Sequence, residues 1–104
     1  MSNVFVIQWN DPRIDFGPAR QFGELREVVP RGMSVFRTDA LIHQIDQGLA
    51  EFDPSQDFVV PVGNPTIIGM VFAILGQQFD AIKVLHWAAR ERHYVPLEFS
   101  IKQL

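Results

Sequence analysis

One segment of the chain joins a short apolar strand pattern directly to a long apolar helix pattern. Residues 57–62 are rich in β-branched and aromatic side chains, which is typical of a buried strand. Asn64 is a residue type that caps helices and Pro65 suits a first helical position, so a helix is predicted over residues 65–79. This helix is apolar almost all round, which predicts that it is covered on most sides. A strand that leads into such a helix favours an α/β domain.

The first half of the chain predicts two more strands and an amphipathic helix. A strand buried on both faces is predicted over residues 4–9, and a peripheral strand over residues 24–29. Thr38 is the predicted N-cap of a helix that ends at Asp53-Pro54, because the residue before a proline is pushed out of the α region. The apolar face of this helix is predicted to carry five residues at helical spacing: Leu41, Ile42, Ile45, Leu49 and Phe52.

The C-terminal residues predict a β-hairpin with strands over residues 81–87 and 94–101. The second strand has two alternating sets of residues, so one set is predicted to face the core and the other to face water or a partner. The first set is Val95, Leu97, Phe99 and Ile101, and the second is Tyr94, Pro96, Glu98 and Ser100. The predicted element order is therefore β-β-α-β-α-β-β. We expect one α/β domain over residues 1–104, with two helices, a mixed sheet of about five strands that is parallel at its centre, and an antiparallel hairpin at the edge.

The composition excludes several classes of protein and of site. The chain has no cysteine, which rules out disulfides, thiolate metal sites and a cysteine nucleophile and favours a reducing compartment. The net charge of −3 argues against non-specific nucleic-acid binding. The first residues lack the pattern of a signal peptide, and the longest apolar run is about half the ~18 residues of a membrane span. We therefore expect a cytoplasmic protein that is not inserted in a membrane.

A first candidate site lies where two predicted strands end. Ligands of open α/β sheets bind beyond the carboxyl ends of parallel strands. If the first and third strands are neighbours, five residues share one rim, which we call the strand-end rim: Asn10, Asp11, Gly63, Asn64 and Thr66. Gly63 would admit a ligand close to the backbone, and the amides after Asn64 would hold an anion. The same residues also suit a capped turn without a ligand, because the phosphate-gripping lysine of a P-loop is missing.

A second candidate surface is the turn of the hairpin, where basic and aromatic residues cluster. Its predicted members are Trp87, Arg90, Arg92, His93 and Tyr94. Arginines beside exposed rings occur in protein interfaces and where single-stranded bases stack. The alternative interpretation is a cross-strand pair of Trp87 and Tyr94 beside a solvated turn.

No set of residues predicts a metal site, a cofactor or a catalytic centre. His86 and His93 flank the hairpin turn near Glu91, but a metal site needs three or four fixed ligands. The serines lie in no nucleophile motif, and the aspartate pair Asp11 and Asp15 lies in a stretch where aspartate is common for capping reasons. We therefore favour a protein that is not an enzyme and uses no cofactor.

Four stretches of the chain resemble a group of small bacteriophage and prophage α/β proteins of unknown function. They are residues 16–23, 57–65, 84–87 and 94–97. The resemblance implies a viral or prophage origin and a setting in the host cytoplasm. It carries over no catalytic residue.

The leading hypothesis is a non-catalytic accessory protein that binds a macromolecular partner, a protein rather than a nucleic acid, or associates with itself as a homo-oligomer. The aromatic and arginine residues of the hairpin motivate it, as does a strand edge that would extend a partner's sheet. Two alternatives stay open. One is a nucleotide- or phosphate-binding protein, enzyme or not, that uses the strand-end rim; the other is a nucleic-acid-binding protein that uses Arg90 and Arg92.

Overall fold

The chain has the predicted α/β architecture, and the computed structural model describes its residues 2–104. The strands are β1 (Asn3–Val6), β2 (Glu24–Glu27), β3 (Phe58–Val60), β4 (Ala81–Ala88) and β5 (His93–Ser100). The α-helices are α1 (Thr38–Gly48) and α2 (Pro65–Gln78), and short 3-10 helices cover Gly17–Phe22 and Ile101–Gln103. The element order β-β-α-β-α-β-β is confirmed.

The five strands form one mixed sheet in the order β2-β1-β3-β4-β5. β1 pairs in parallel with both β2 and β3, and β3 pairs in parallel with β4. β5 runs antiparallel to β4 along all eight of its residues. The predicted parallel centre and antiparallel hairpin edge are both confirmed, and the first and third strands are the neighbours that the strand-end rim requires.

The parallel strands are shorter than predicted, because regular pairing stops before the apolar runs do. β3 ends at Val60, since Pro61 has no N–H to donate to a neighbouring strand. Past the end of β1, the Gln8 N–H still donates to the Val62 carbonyl at 3.0 Å. Past the end of β2, the Val28 N–H still donates to the Val6 carbonyl at 2.9 Å. The predicted strand residues therefore keep hydrogen bonds, although in an irregular arrangement.

Helix α1 differs from its prediction at both ends and on its face. Arg37 is the N-cap, without a side-chain hydrogen bond, so the prediction of Thr38 as N-cap was wrong by one residue. The helix ends at Gly48, five residues before the predicted end at Asp53-Pro54. A Cβ on Gly48 would lie 2.5 Å from the Val28 carbonyl oxygen. Ile42 is 43% exposed rather than part of the core. As the neighbour of buried Leu41, it lies about 100° further around the helix and misses the sheet.

Both α-helices lie on the same side of the sheet, which we call the helix side. Its buried core joins strand residues such as Phe5, Val59 and Ile82 to residues of α1 and α2. The opposite side, which we call the loop side, is covered mainly by the connection between β1 and β2, residues 7–23. Its smaller core includes Val6, Val60, Leu85, Phe16 and Ala19.

Helix α2 is covered along its sheet-facing side and on both flanks, as predicted, but not all round. Ile67, Val71 and Leu75 are fully buried at spacings of four. Partly buried residues pack against the same core on either side of them: Ile68, Met70, Phe72 and Ile74. One stripe stays exposed, with Gly69 and Ala73 at its middle.

On β5, Phe99 packs against the helix-side core, whereas Leu97, on the same side of the sheet, is 49% exposed. β5 is the edge strand and α2 covers only part of it. Tyr94, which belongs to the other alternating set, is 6% exposed in the loop-side core. The prediction that one set faces the core and the other faces water was therefore wrong, because each set is buried in part.

No helix within residues 2–104 is long and apolar enough to cross a membrane.

Candidate functional site

The side chain of Gln8, which follows β1, bridges the segments that follow β2 and β3. Gln8 is 4% exposed, and its Oε1 accepts a hydrogen bond from the Asn64 N–H at 3.0 Å. Its Nε2 donates to the Pro30 carbonyl at 3.4 Å. Gly63 has a φ of +126°, and a Cβ there would lie 2.6 Å from the Gln8 Cβ. The glycine therefore allows the chain to pass close to Gln8.

The polar residues of the strand-end rim make hydrogen bonds within the protein. Asn64 caps α2, as predicted, because its Oδ1 accepts from the Thr66 N–H at 2.9 Å. Asp11 faces Arg13, whose Nε and N–H both lie 3.0 Å from the Asp11 Oδ1. The side-chain and backbone hydrogen bonds from Arg13 lower the pKa of the Asp11 carboxyl. Gly63, Asn64 and Thr66 thus meet at the start of α2, and Asp11 is engaged in a turn of its own. Asn10 is exposed.

A larger open site lies on the loop side, beneath the turn of the β4–β5 hairpin. It is a cleft of about 680 Å³, which we call the hairpin cleft. Its floor is formed by the buried side chains of Phe16, Val60, Leu85 and Tyr94. Its walls come from three segments: residues 14–18, residues 61–62, and the hairpin residues His86, Trp87 and Arg92.

Trp87 and Tyr94 stand directly opposite each other on β4 and β5, and both line the cleft. Their ring centroids are 4.9 Å apart at an interplanar angle of 60°, an edge-to-face contact. Tyr94 is 6% exposed, whereas Trp87 is 41% exposed. Burial, and after it the negative charge of Asp15, raise the pKa of the Tyr94 hydroxyl. The neutral tyrosine thus forms part of the floor, and the tryptophan offers an aromatic surface to solvent.

Two charged residues of opposite sign lie at the cleft, and each makes a hydrogen bond with a nearby backbone group. Arg92 has a φ of 57°, and its N–H donates to the Ala88 carbonyl at 2.8 Å to close the hairpin. Asp15 accepts a hydrogen bond from the Gly17 N–H at 2.8 Å. The cleft therefore combines an apolar floor with one basic and one acidic residue.

Three of the five residues predicted for the hairpin surface line the cleft: Trp87, Arg92 and Tyr94. Arg90 and His93 are exposed but do not line it. The sequence analysis missed the contribution of Ile14, Asp15 and Pro18, because the glycines and prolines of residues 13–23 break any period. The resemblance to phage proteins includes residues 16–23 and therefore Pro18, but it includes neither Ile14 nor Asp15.

The geometry of the cleft suits non-covalent binding. An apolar floor with a few polar groups is the usual composition of a site that takes up part of a ligand or partner. Within residues 2–104, no group of three or more histidines and carboxylates could hold a metal ion.

The family model described as Phage Pam3 gp32-like protein matches residues 2–101. No curated protein and no solved structure matches the chain.

Proposed function

The chain belongs to the Phage Pam3 gp32-like protein family, and from this premise we propose that it is a phage accessory protein that binds a protein partner in the hairpin cleft. The partner inserts an apolar segment against the floor, and Trp87 packs on it from the hairpin. The absence of cysteine suits action in the reducing cytoplasm of the host.

The observation that carries the proposal is a tryptophan that is 41% exposed beside an apolar floor. Tryptophan is among the residues most enriched at the energetic centres of protein interfaces, because its large ring buries much surface at a small cost in side-chain entropy. Contact with Tyr94 already fixes one edge of the Trp87 ring. A partner would therefore meet a rigid surface.

The backbone of Arg92 gives independent support. A left-handed conformation costs a residue with a Cβ roughly 1 kcal/mol or more, and glycine would avoid that cost. The hairpin nevertheless has an arginine at this position, and its side chain lines the cleft. A long basic side chain kept at an unfavourable φ is consistent with a role in binding.

The charges favour a protein over a nucleic acid. Strong binding of a phosphate backbone requires several lysines and arginines along one groove. Of the cleft residues only Arg92 is a permanent cation, and Asp15 opposes it. A protein segment with apolar side chains and at most one acidic group fits this set better.

The test compares wild-type protein with Trp87→Ala and Arg92→Gly in capture experiments from lysates of phage-infected host cells. Phe36→Ala is the matched control, because Phe36 is 92% exposed in the loop before α1, outside the cleft. We expect one protein to be retained by the wild type and by Phe36→Ala and to be lost by both cleft variants. We also expect Arg92→Gly to be at least as stable as the wild type, which separates loss of binding from loss of fold.

Two outcomes contradict the proposal. One is capture of the same protein by all four forms, which would place the contact outside the cleft. The other is retention of nucleic acid, and no protein, by the wild type in a way that Arg90→Ala and Arg92→Ala abolish.

A further inference from the structure

Two exposed side chains of opposite charge line the hairpin cleft from different walls. Arg92 belongs to the hairpin, and Asp15 belongs to the wall formed by residues 14–18. The ion pairs that form within residues 2–104 involve neither of them: Arg13–Asp11 and Arg26–Glu51. Arg92 and Asp15 therefore share one cleft without neutralising each other, and both charges are available to a bound segment.

The carboxylate of Asp15 has a defined position, and its charge acts on the floor of the cleft. Its Oδ1 accepts a hydrogen bond from the Gly17 N–H at 2.8 Å, and a Cβ on residue 17 would lie 3.0 Å from the same oxygen. Burial raises the pKa of the Tyr94 hydroxyl, and the negative charge of Asp15 raises it further. A cation bound beside Asp15 would compensate this charge.

The guanidinium of Arg92 offers the complementary group on the hairpin. It stays charged at every pH at which the protein is folded, and its planar N–H groups match the two oxygens of a carboxylate. Its backbone N–H donates to the Ala88 carbonyl at 2.8 Å, which fixes the start of the side chain. Arg90, in the same turn, is exposed but does not line the cleft. The hairpin wall therefore provides a single binding group for an acidic side chain.

The two charges and the apolar floor together specify the chemistry of the bound segment. From them we infer that the cleft selects a peptide segment with an apolar centre between one acidic and one basic side chain. The apolar centre lies on the floor beside Trp87, the acidic side chain pairs with Arg92, and the basic side chain pairs with Asp15. A segment with two like charges would place one of them against a like charge, and a neutral segment would leave both unpaired. This inference rests on the proposed function and adds the charges by which the cleft selects its partner.

The expected preference is moderate, because both side chains are exposed. One exposed ion pair changes an affinity by up to about fivefold. The two pairs form at different walls, so their effects multiply, and we expect a preference of about tenfold for a segment with both charges over a neutral one.

Five fluorescently labelled peptides of equal length test this preference by fluorescence anisotropy. Each has the core Leu-Phe-Leu between two variable residues, which are Glu and Lys in either order, Glu twice, Lys twice, or Gln twice. Measurements at about 0.15 M salt screen the charges that lie outside the cleft. We expect the wild type to bind one of the mixed peptides about tenfold more tightly than the glutamine peptide, and the like-charged peptides no more tightly than the glutamine peptide. Trp87→Ala weakens the binding of all five, because the ring contacts the apolar core.

Reversal of either charge changes which peptide is preferred. Arg92→Glu makes both walls acidic, so the peptide with two lysines becomes the tightest binder. Asp15→Lys makes both walls basic, so the peptide with two glutamates becomes the tightest binder. Arg90→Glu is the matched control, because it changes the net charge of the same turn by the same amount outside the cleft, and it keeps the preference for a mixed peptide.

A milder variant keeps the test decisive where Asp15→Lys disturbs the fold. Asp15→Asn retains an oxygen for the Gly17 N–H and removes only the charge, so the preferred mixed peptide loses up to about fivefold in affinity. Circular dichroism and thermal melting verify the fold of each variant.

The inference alone is overturned if the wild type binds all five peptides equally and Trp87→Ala weakens them, which leaves the proposed function intact. It is also overturned if Arg92→Glu and Arg90→Glu give the same preference, because the selection then follows the net charge and not the cleft. If no peptide binds the wild type, the inference is wrong, and capture from the lysate that no longer depends on Trp87 makes the proposed function wrong as well.

Discussion

The two sides of the sheet are closed by different means. On the helix side, α1 and α2 place regularly spaced side chains against the strands, and thirteen of residues 2–104 are buried there. On the loop side, the connection between β1 and β2 contributes one short 3-10 helix, Gly17–Phe22, and seven of the described residues are buried. The helix side has a smaller opening of about 320 Å³ between the ends of α1 and α2, whereas the loop side has the hairpin cleft of about 680 Å³. A cover without regular structure leaves room for a binding site.

The length of the strands adds to this difference. β3 ends at Val60, but β4, which pairs with it at Val84, continues to Ala88. The hairpin therefore extends beyond the neighbouring strand, and no strand fills the space beneath it. The cleft forms because β3 ends earlier along the sheet than β4 does.

The largest expected effect comes from a matched pair of leucines, one on each side. Leu41 is 0% exposed beneath α1 and lines no cleft, and Leu85 is 0% exposed at the floor of the hairpin cleft. We expect Leu41→Ala to lower the free energy of unfolding by about 4 kcal/mol and Leu85→Ala by about 2 kcal/mol. The first leaves an enclosed cavity, while the second enlarges a cleft that is already open to water. Urea unfolding measures both, and an equal or larger loss for Leu85→Ala would break the comparison.

The next effect concerns Gln8, which lies at the carboxyl ends of the parallel strands. These strands contribute residues to the cores on both sides of the sheet. Gln8→Ala removes the partners of the Asn64 N–H and the Pro30 carbonyl, and we expect a loss of about 2 kcal/mol. Thermal melting gives the size of the loss. A stability unchanged from the wild type would mean that water replaces the amide and that the strand-end rim is as open as the cleft. In that case a screen of the variant with nucleotides and phosphates becomes the informative experiment.

A smaller effect concerns the N-caps of the two helices, where we expect a substitution to lower the stability at α2 but not at α1. Asn64→Ala removes the hydrogen bond to the Thr66 N–H, and we expect a loss of about 1 kcal/mol. Thr38→Ala should change the stability by less than about 0.5 kcal/mol, because Thr38 lies inside α1 and makes no capping hydrogen bond. Chemical unfolding of the two variants under identical conditions decides the matter. A larger loss for Thr38→Ala would contradict the position of the cap.

The smallest effect is a change in pH dependence on the loop side. Tyr94 is the only tyrosine, so the ultraviolet absorbance of tyrosinate reports on it alone. Its pKa is raised, which means that folding favours the neutral hydroxyl; this contribution to stability is present below the ordinary pKa and is lost as the pH rises through the raised one.

Asp15→Asn provides the control for Tyr94. We expect the midpoint of the titration to fall but to stay above the ordinary value, because burial is the larger cause of the shift. A midpoint at the ordinary value in the wild type would mean that water reaches the hydroxyl freely.

The elements that the sequence predicts well are those with a strong local signal. Asn64-Pro65 places the start of α2 correctly, because a cap and a proline each act on their own residue. The prediction that Ile42 lies on the buried face of α1 was wrong. A period shows which residues are apolar together, but the width of the opposing sheet decides how many of them become buried.

The candidate site could be predicted only in part. Trp87, Arg92 and Tyr94 are close in sequence through the hairpin, so their association follows from strand pairing alone. Asp15 and Pro18 reach the cleft from an irregular connection far away along the chain, and no local pattern places them there. The burial and hydrogen bonds of Gln8 could not be predicted either, because its partners Pro30 and Asn64 follow β2 and β3 and are distant along the chain.

Pro96 has a consequence for the behaviour of the protein at high concentration. An open sheet ends in strands with free N–H and carbonyl groups, which are templates for uncontrolled stacking into fibrils. At one edge Pro96 interrupts the row of donors, and at the other edge β2 has only four residues, three of them charged. Neither edge therefore offers a long, uninterrupted row of free donors on which fibril-like stacking could build.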